Sequence, residues 1–205
     1  MSSSILSALQ QYWGYSSFRP LQEQVVNSLL AGRDACVVMP TGGGKSLCSQ
    51  LPAAMTPGRT AIVVSPLIAL MQDQTAQLEQ MGVPAAVLNS SQTAGEQSAI
   101  LRNAKTGQYR LLYLSPERLV RADALAWLRE TPISYFVIDE AHCISEWGHE
   151  FRPDYRLLSS LRADFPGTAI AAFTASATRR VRRRRGPAAL TPPRPSGQGE
   201  KPKVS

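Results

Sequence analysis

The sequence predicts an α/β domain, a mainly parallel sheet with helices on both faces, followed by a disordered tail. Three observations carry this expectation. Short β-rich runs recur between residues 36 and 173, and they are nearly continuous apolar stretches rather than alternating ones. Such runs suit strands that are covered on both faces of a parallel sheet. Helical periodicity fills the intervals, and strand–helix alternation implies right-handed crossovers. From residue 179 onward the apolar pattern gives way to an arginine run and a proline-rich stretch.

The predicted strands are Cys36–Met39, Ala61–Ser65, Leu111–Leu114, Tyr135–Ile138 and Ile170–Phe173, with Ala85–Leu88 a weaker sixth. A glycine-rich turn follows the first strand and leads into a helix. The stretch Leu67–Met81 sets Leu67, Leu70, Met71, Gln74 and Leu78 at helical spacing, and Glu96–Lys105 is a further helical stretch. In an open sheet of this kind ligands gather at the C-terminal ends of the strands. Motifs that begin where a strand ends are therefore the first candidates for a site.

Composition narrows the function classes. No apolar run approaches the ~20 residues of a membrane span, so no membrane partner is expected. The first fifteen residues have neither a charged n-region nor an apolar h-region, which argues against a signal peptide. Cys36, Cys48 and Cys143 are odd in number and lack metal-ligand spacing, which fits a reduced cytoplasm. The net charge of +7 resides in one place: residues 179–205 hold nine Lys and Arg against one Glu. The other residues carry 13 basic and 14 acidic side chains, so charge alone does not make the folded part a nucleic-acid binder.

The segment VVMPTGGGKSLC follows the first strand and opens a helix. Gly42, Gly43 and Gly44 allow the backbone to bring its N–H groups close to an anion. Lys45 can reach outer phosphates, the Ser46 hydroxyl can ligate Mg²⁺, and the helix N-terminus adds partial positive charge. The strict phosphate-loop pattern has Gly where this chain has Met39, so the match is to a variant. The bland alternative is a glycine-rich turn with a chance Lys-Ser pair.

The segment YFVIDEAHCISEWGHEF sets Asp139 and Glu140 at the end of another apolar strand. In an NTPase with such a loop, the first acid holds Mg²⁺ and the second orients and deprotonates the attacking water. The alternative is a helix N-terminus that favours acids. Six residues separate His142 from His149, which is not a usual zinc spacing, and no metal cluster is expected here. Trp147 and Phe151 stand beside His149 and Arg152. Aromatic faces stack on unpaired bases at about 1–3 kcal/mol per base, and arginine pairs with phosphate. The competing reading puts both aromatics in the core under a helix.

With these motifs on the page, residues about 8 to 178 resemble the RecQ-type DNA helicases of helicase superfamily two. GYSSFRPLQ resembles that family's adenine-recognition motif, which implies that Tyr15 stacks on the base and that Arg19 and Gln22 hydrogen-bond it. MPTGGGKS, which includes Thr41, resembles motif I. SPLIALMQDQ resembles motif Ia and LSPERL resembles motif Ib, both of which contact nucleic acid in the family. DEAH is similar to motif II, and FTASAT to motif III, where the family more often has Thr in place of Ser176. CISEWGHEFRPDY resembles the family's aromatic-rich loop, which couples DNA binding to ATP hydrolysis. The resemblance implies a RecA-like ATP-binding domain over residues 1–178 and a basic tail over residues 179–205. It further implies ATP and Mg²⁺ as cofactors and DNA, single-stranded or duplex with a 3′ overhang, as partner. The expected activity is 3′-to-5′ unwinding in recombination and repair, in the bacterial cytoplasm at the nucleoid.

In the family a second RecA-like domain supplies an arginine finger, and 27 residues after motif III cannot hold one. Three readings of the tail stand: a frameshift or truncation near Val181, an evolved basic arm that touches phosphates, and a linker. The first is favoured, because the body's 11 Arg against two Lys suggests GC-rich codons, which out of frame yield Arg, Pro, Gly and Ala. The resulting expectation is a motor domain that binds ATP and DNA without unwinding alone. A nucleotide- or DNA-binding module without turnover is the alternative, and a phosphate-loop kinase is disfavoured for want of an acceptor site.

Overall fold

The computed structural model describes residues 2–40, 42–141, 161–175 and 189–190. The chain begins with helices α1 (Ser2–Trp13) and α2 (Gln22–Leu30) and then enters strand β1 (Ala35–Val38). Helix α3 (Lys45–Ala54), strand β2 (Thr60–Val64), helix α4 (Ile68–Gln80) and strand β3 (Ala85–Leu88) follow. Next come α5 (Ala94–Lys105), β4 (Leu111–Leu114), the short α6 (Pro116–Leu119), α7 (Ala124–Glu130) and β5 (Ile133–Ile138). The last elements are α8 (Leu161–Asp164), β6 (Ala169–Thr174) and the two-residue β7 (Ala189–Leu190).

The sheet order is β3-β4-β2-β5-β6-β1-β7, and every pairing is parallel. All six strands read from the sequence are present, which establishes the expected fold class. Their continuous apolar character has the expected cause. Alternate residues of each strand point to opposite faces, and both faces are covered. Ala61 and Val63 of β2 join one core cluster with Val25, Cys48, Met71 and Leu78 from α2, α3 and α4. Ile62 and Val64 join the other, with Ala104, Trp127 and Leu128 from α5 and α7. A third, smaller cluster seats α1 on α2 and α3 through Ile5, Leu9, Val26, Leu47 and Leu51.

The structure differs from the sequence reading in three places. Helix α5 starts at Ala94 rather than Glu96, because Thr93 and Glu96 form a capping box. The Thr93 N–H donates to Glu96 Oε2 at 2.7 Å, and the Glu96 N–H donates to Thr93 Oγ1 at 3.3 Å. Helix α1 was absent from the expectation, although Ile5, Ala8, Leu9 and Tyr12 carry a helical stripe. Ala189 and Leu190, inside the stretch read as tail, pair in parallel with Cys36 and Val37. The residues around them lie outside the described set.

Chain order and sheet order together place the site. Strand β6 lies between β5 and β1. The loop after β1 and the acids after β5 therefore flank the end of one strand, and the Ala141 N–H donates to Phe173 O of β6 at 2.8 Å.

Candidate nucleotide site

A cavity of about 330 Å³ opens at the C-terminal ends of β1, β2 and β5. Its lining includes Gly42, Gly44, Lys45 and Ser46 from the glycine loop, Ser65 after β2, Gln74 on α4, and Asp139 and Glu140 after β5. The two motifs that the sequence sets almost a hundred residues apart are thus brought to one place. Lys45 Nζ lies 3.3 Å from Glu140 Oε1 and bridges the two walls.

The loop's glycines are needed for space as well as for conformation. A Cβ on Gly43 would stand 2.9 Å from Pro40 O, and Gly44 has φ +80° with the Gln22 amide against the place a Cβ would take. Two side chains, one from the α1–α2 connection and one from the first residue of α2, hold this loop by its carbonyls. Arg19 Nη1 donates to Gly42 O at 2.8 Å, and Gln22 Nε2 donates to Gly44 O at 3.3 Å. Gln22 is in turn fixed by the Arg19 N–H, which donates to its Oε1 at 2.8 Å. Leu21, which directly precedes Gln22, has φ +72°. A left-handed conformation costs an L-residue roughly 1–2 kcal/mol. Among the described residues one other non-glycine has a positive φ, and it is Glu140, at +50°. Glu140 lines the cavity, and Leu21 precedes Gln22, which holds the glycine loop, so both strained positions adjoin residues that shape the site.

The acidic wall is shaped by burial. Desolvation, followed by the adjacent Glu140 charge, raises the Asp139 carboxyl above its usual range, while Lys45, the Glu140 N–H and Ser65 act in the opposite direction. Ser65 Oγ is 3.5 Å from Asp139 Oδ2, and the Glu140 N–H donates to Asp139 Oδ1 at 3.0 Å. The Ser46 hydroxyl accepts from Gln74 Nε2 at 2.7 Å. Cys48, beneath the loop, is a buried thiol whose pKa is pushed up to about 12, so it is no nucleophile.

The donor set suits Mg²⁺. Hydroxyl and carboxylate oxygens are the hard ligands this ion takes, and it is held by one or two carboxylates together with substrate phosphates. Two adjacent carboxylates, one of them desolvated, are a place where a cation relieves a cost already present. No three His, Cys, Asp or Glu side chains form a ligand cluster among the described residues. None of the described helices is long and apolar enough to cross a membrane.

The remaining expected residues are placed as follows. Tyr15 is 55% exposed in the α1–α2 connection, and with Arg19 and Gln22 it stands outside the cavity lining. Arg19 and Gln22, expected on an adenine ring, here hold the glycine loop. Thr41, Trp147, His149, Phe151 and Arg152 lie outside the described residues. Sequence reading gave Gln74 a place on a helix and at the end of the stretch that resembles motif Ia, expected to contact nucleic acid, and passed over Gln50 and Tyr113. Their signal is polar side chains among apolar neighbours on α3, α4 and β4.

Residues 19–184 match the DEAD/DEAH box helicase family. The chain is 49% identical over 172 residues to the ATP-dependent DNA helicase RecQ of Haemophilus influenzae, a match that covers 84% of this chain and 28% of that one. It is 46% identical over 178 residues to the probable ATP-dependent DNA helicase RecS of Bacillus subtilis, covering 86% and 35%. It is 45% identical over 180 residues to the mouse bifunctional 3′-5′ exonuclease/ATP-dependent helicase WRN, covering 86% and 12%. The chain thus spans about a third or less of the length of these relatives. A crystal structure of a hypothetical ATP-dependent RNA helicase from Sulfolobus tokodaii superposes with a TM-score of 0.64 at 19% identity, over 89% of this chain and 53% of that one. That likeness establishes the RecA-like fold. The family match and the identities together establish that the chain belongs to the DEAD/DEAH box helicase family and is a homologue of the RecQ-type DNA helicases.

Proposed function

We propose that this domain binds ATP·Mg²⁺ in the cavity between the glycine loop and the acidic strand end, and that it is the nucleotide-binding half of a 3′-to-5′ DNA helicase motor. The observation that carries the reading is the Lys45–Glu140 pair at 3.3 Å across the end of β6. The pair supports this reading because a cation of the loop and a carboxylate of the opposite wall stand 3.3 Å apart, close enough to act on one phosphate tail. The backbone N–H groups of Gly42–Ser46 cradle the phosphates, and Lys45 turns from Glu140 to the outer ones. Ser46 and Asp139 hold the cation, which neutralises phosphate charge when bound. Glu140, released from Lys45, accepts a proton from the attacking water.

DNA recognition rests on homology and on the stretch from Trp147 to Arg152, whose aromatic and cationic side chains suit single-stranded DNA. The 205 residues alone are proposed to hydrolyse ATP slowly and not to unwind DNA. Lys45 is the sole cationic side chain among the described residues of the lining. A second cation facing the transferred phosphoryl group is worth ~10³–10⁵ in rate. Stepping along DNA also requires two bodies whose separation changes through the cycle.

The test is ATP hydrolysis by the purified chain with Mg²⁺, with and without single-stranded DNA, beside strand displacement on a duplex with a 3′ overhang. The expected result is weak hydrolysis and no displacement. ATP-dependent displacement would overturn the single-body reading. No hydrolysis with tight binding would favour a binding module without turnover.

A further inference from the structure

The Ser46 hydroxyl does not stand alone. Gln74 Nε2 donates to it at 2.7 Å from α4. The Gln74 amide is itself fixed. Its Oε1 accepts from Tyr113 OH of β4 at 3.1 Å and from Gln50 Nε2 of α3 at 3.3 Å. Gln50 Nε2 also donates to Tyr113 OH at 3.0 Å, which closes a triangle of three side chains. Tyr113 and Gln50 are 2% and 6% exposed, so this triangle is anchored in the core. Burial holds the Tyr113 phenol well above its usual pKa, so it remains a donor at any working pH.

A hydroxyl that ligates a cation must offer it a lone pair and turn its proton elsewhere. An N–H directed at Ser46 Oγ occupies one lone pair and restricts the hydroxyl's rotation, leaving the other lone pair for a metal. A polar group that orients a metal ligand typically changes metal affinity or activity by 10–100-fold when removed.

We propose that Gln74 is a positioning residue for the nucleotide-bound cation: it presets the Ser46 hydroxyl, and the buried Gln50–Tyr113 pair presets Gln74. The inference rests on the ATP·Mg²⁺ reading of the cavity. It makes α4 part of the nucleotide site, so a displacement of that helix reaches the cation through a single hydrogen bond.

The experiment measures binding of a fluorescent ATP analogue to the full chain, titrated with Mg²⁺ and repeated in EDTA, for the parent, Gln74→Leu and Tyr113→Phe. Melting temperature is recorded for each. The expected result for Gln74→Leu is a 10–100-fold loss of apparent Mg²⁺ affinity, with a distinctly smaller loss of analogue binding in EDTA. Tyr113→Phe, which leaves Gln74 in place but removes one of its two anchors, is expected to show a smaller loss of the same kind. If Gln74→Leu does not fold, Tyr113→Phe carries the same reading. Equal weakening with and without Mg²⁺, or no weakening, would overturn the positioning role and leave the site itself intact. A parent chain whose analogue binding ignores Mg²⁺ would overturn both the positioning role and the reading of the cavity.

Discussion

On one face of the sheet, beneath α2, α3 and α4, the buried residues include Gln22, Ser49, Gln50, Tyr113 and Tyr135. On the other, beneath α5 and α7, they are Ile62, Val64, Leu112, Leu114, Phe136, Ile138 and their apolar partners. The buried charge near this second face, Arg118, reaches Asp123 with both terminal nitrogens, at 3.0 and 2.9 Å. The first face spends its hydrogen bonds on the glycine loop and on α3. Tyr135 OH, for example, donates to Ser49 O at 2.6 Å, one turn below Ser46. A buried polar group costs stability unless it is paired, and here the pairing also fixes a site. The second face closes mainly by apolar packing, and its buried polar groups, such as Arg118 and Thr131, bond to residues outside the cavity lining. One sheet therefore separates a functional side from a stabilising side.

The largest expected effect on stability comes from the second face. Phe136 is fully buried and packs on Phe165 with ring centroids 5.1 Å apart. Phe136→Ala is expected to cost about 3–5 kcal/mol in urea unfolding, while the fraction that stays folded binds nucleotide as the parent does. A loss of affinity in the folded fraction would mean that the two faces are not separable.

The smaller stability effect, with the opposite functional outcome, belongs to the first face. Gly44→Ala forces a side chain into a left-handed turn and against Gln22. The conformational part of that cost is about 1–2 kcal/mol, yet nucleotide binding is expected to fall sharply because the loop carbonyls lose their Gln22 contact. Unaltered binding by this variant would show that the loop is not the phosphate cradle.

The same division explains what the sequence revealed. Strands covered on both sides show as apolar runs, and a loop in which Gly42 and Gly44 take a positive φ and Gly43 has no room for a Cβ shows as three consecutive glycines, so β1 and the Gly42–Gly44 loop were legible. So were Asp139 and Glu140, because both follow directly from a strand. What stayed hidden was carried by contacts between distant segments. Arg19 meets Gly42, and Gln74 meets Ser46, Gln50 and Tyr113, across 23 to 39 residues of chain. No local period records such a pairing. The positive φ of Leu21 was equally invisible, since nothing in a leucine signals a left-handed turn.

The central claim is that the Lys45–Glu140 wall-to-wall pair marks an ATP·Mg²⁺ site. Equilibrium binding of ATP·Mg²⁺ to the purified chain, measured for the parent and for Lys45→Ala by titration calorimetry, tests it most directly. Saturable binding by the parent that Lys45→Ala abolishes, at an unchanged melting temperature, is the result the structure predicts. Equal affinity in the two proteins would contradict it, because a phosphate tail held between Gly42 and Glu140 cannot ignore the loss of the cation between them.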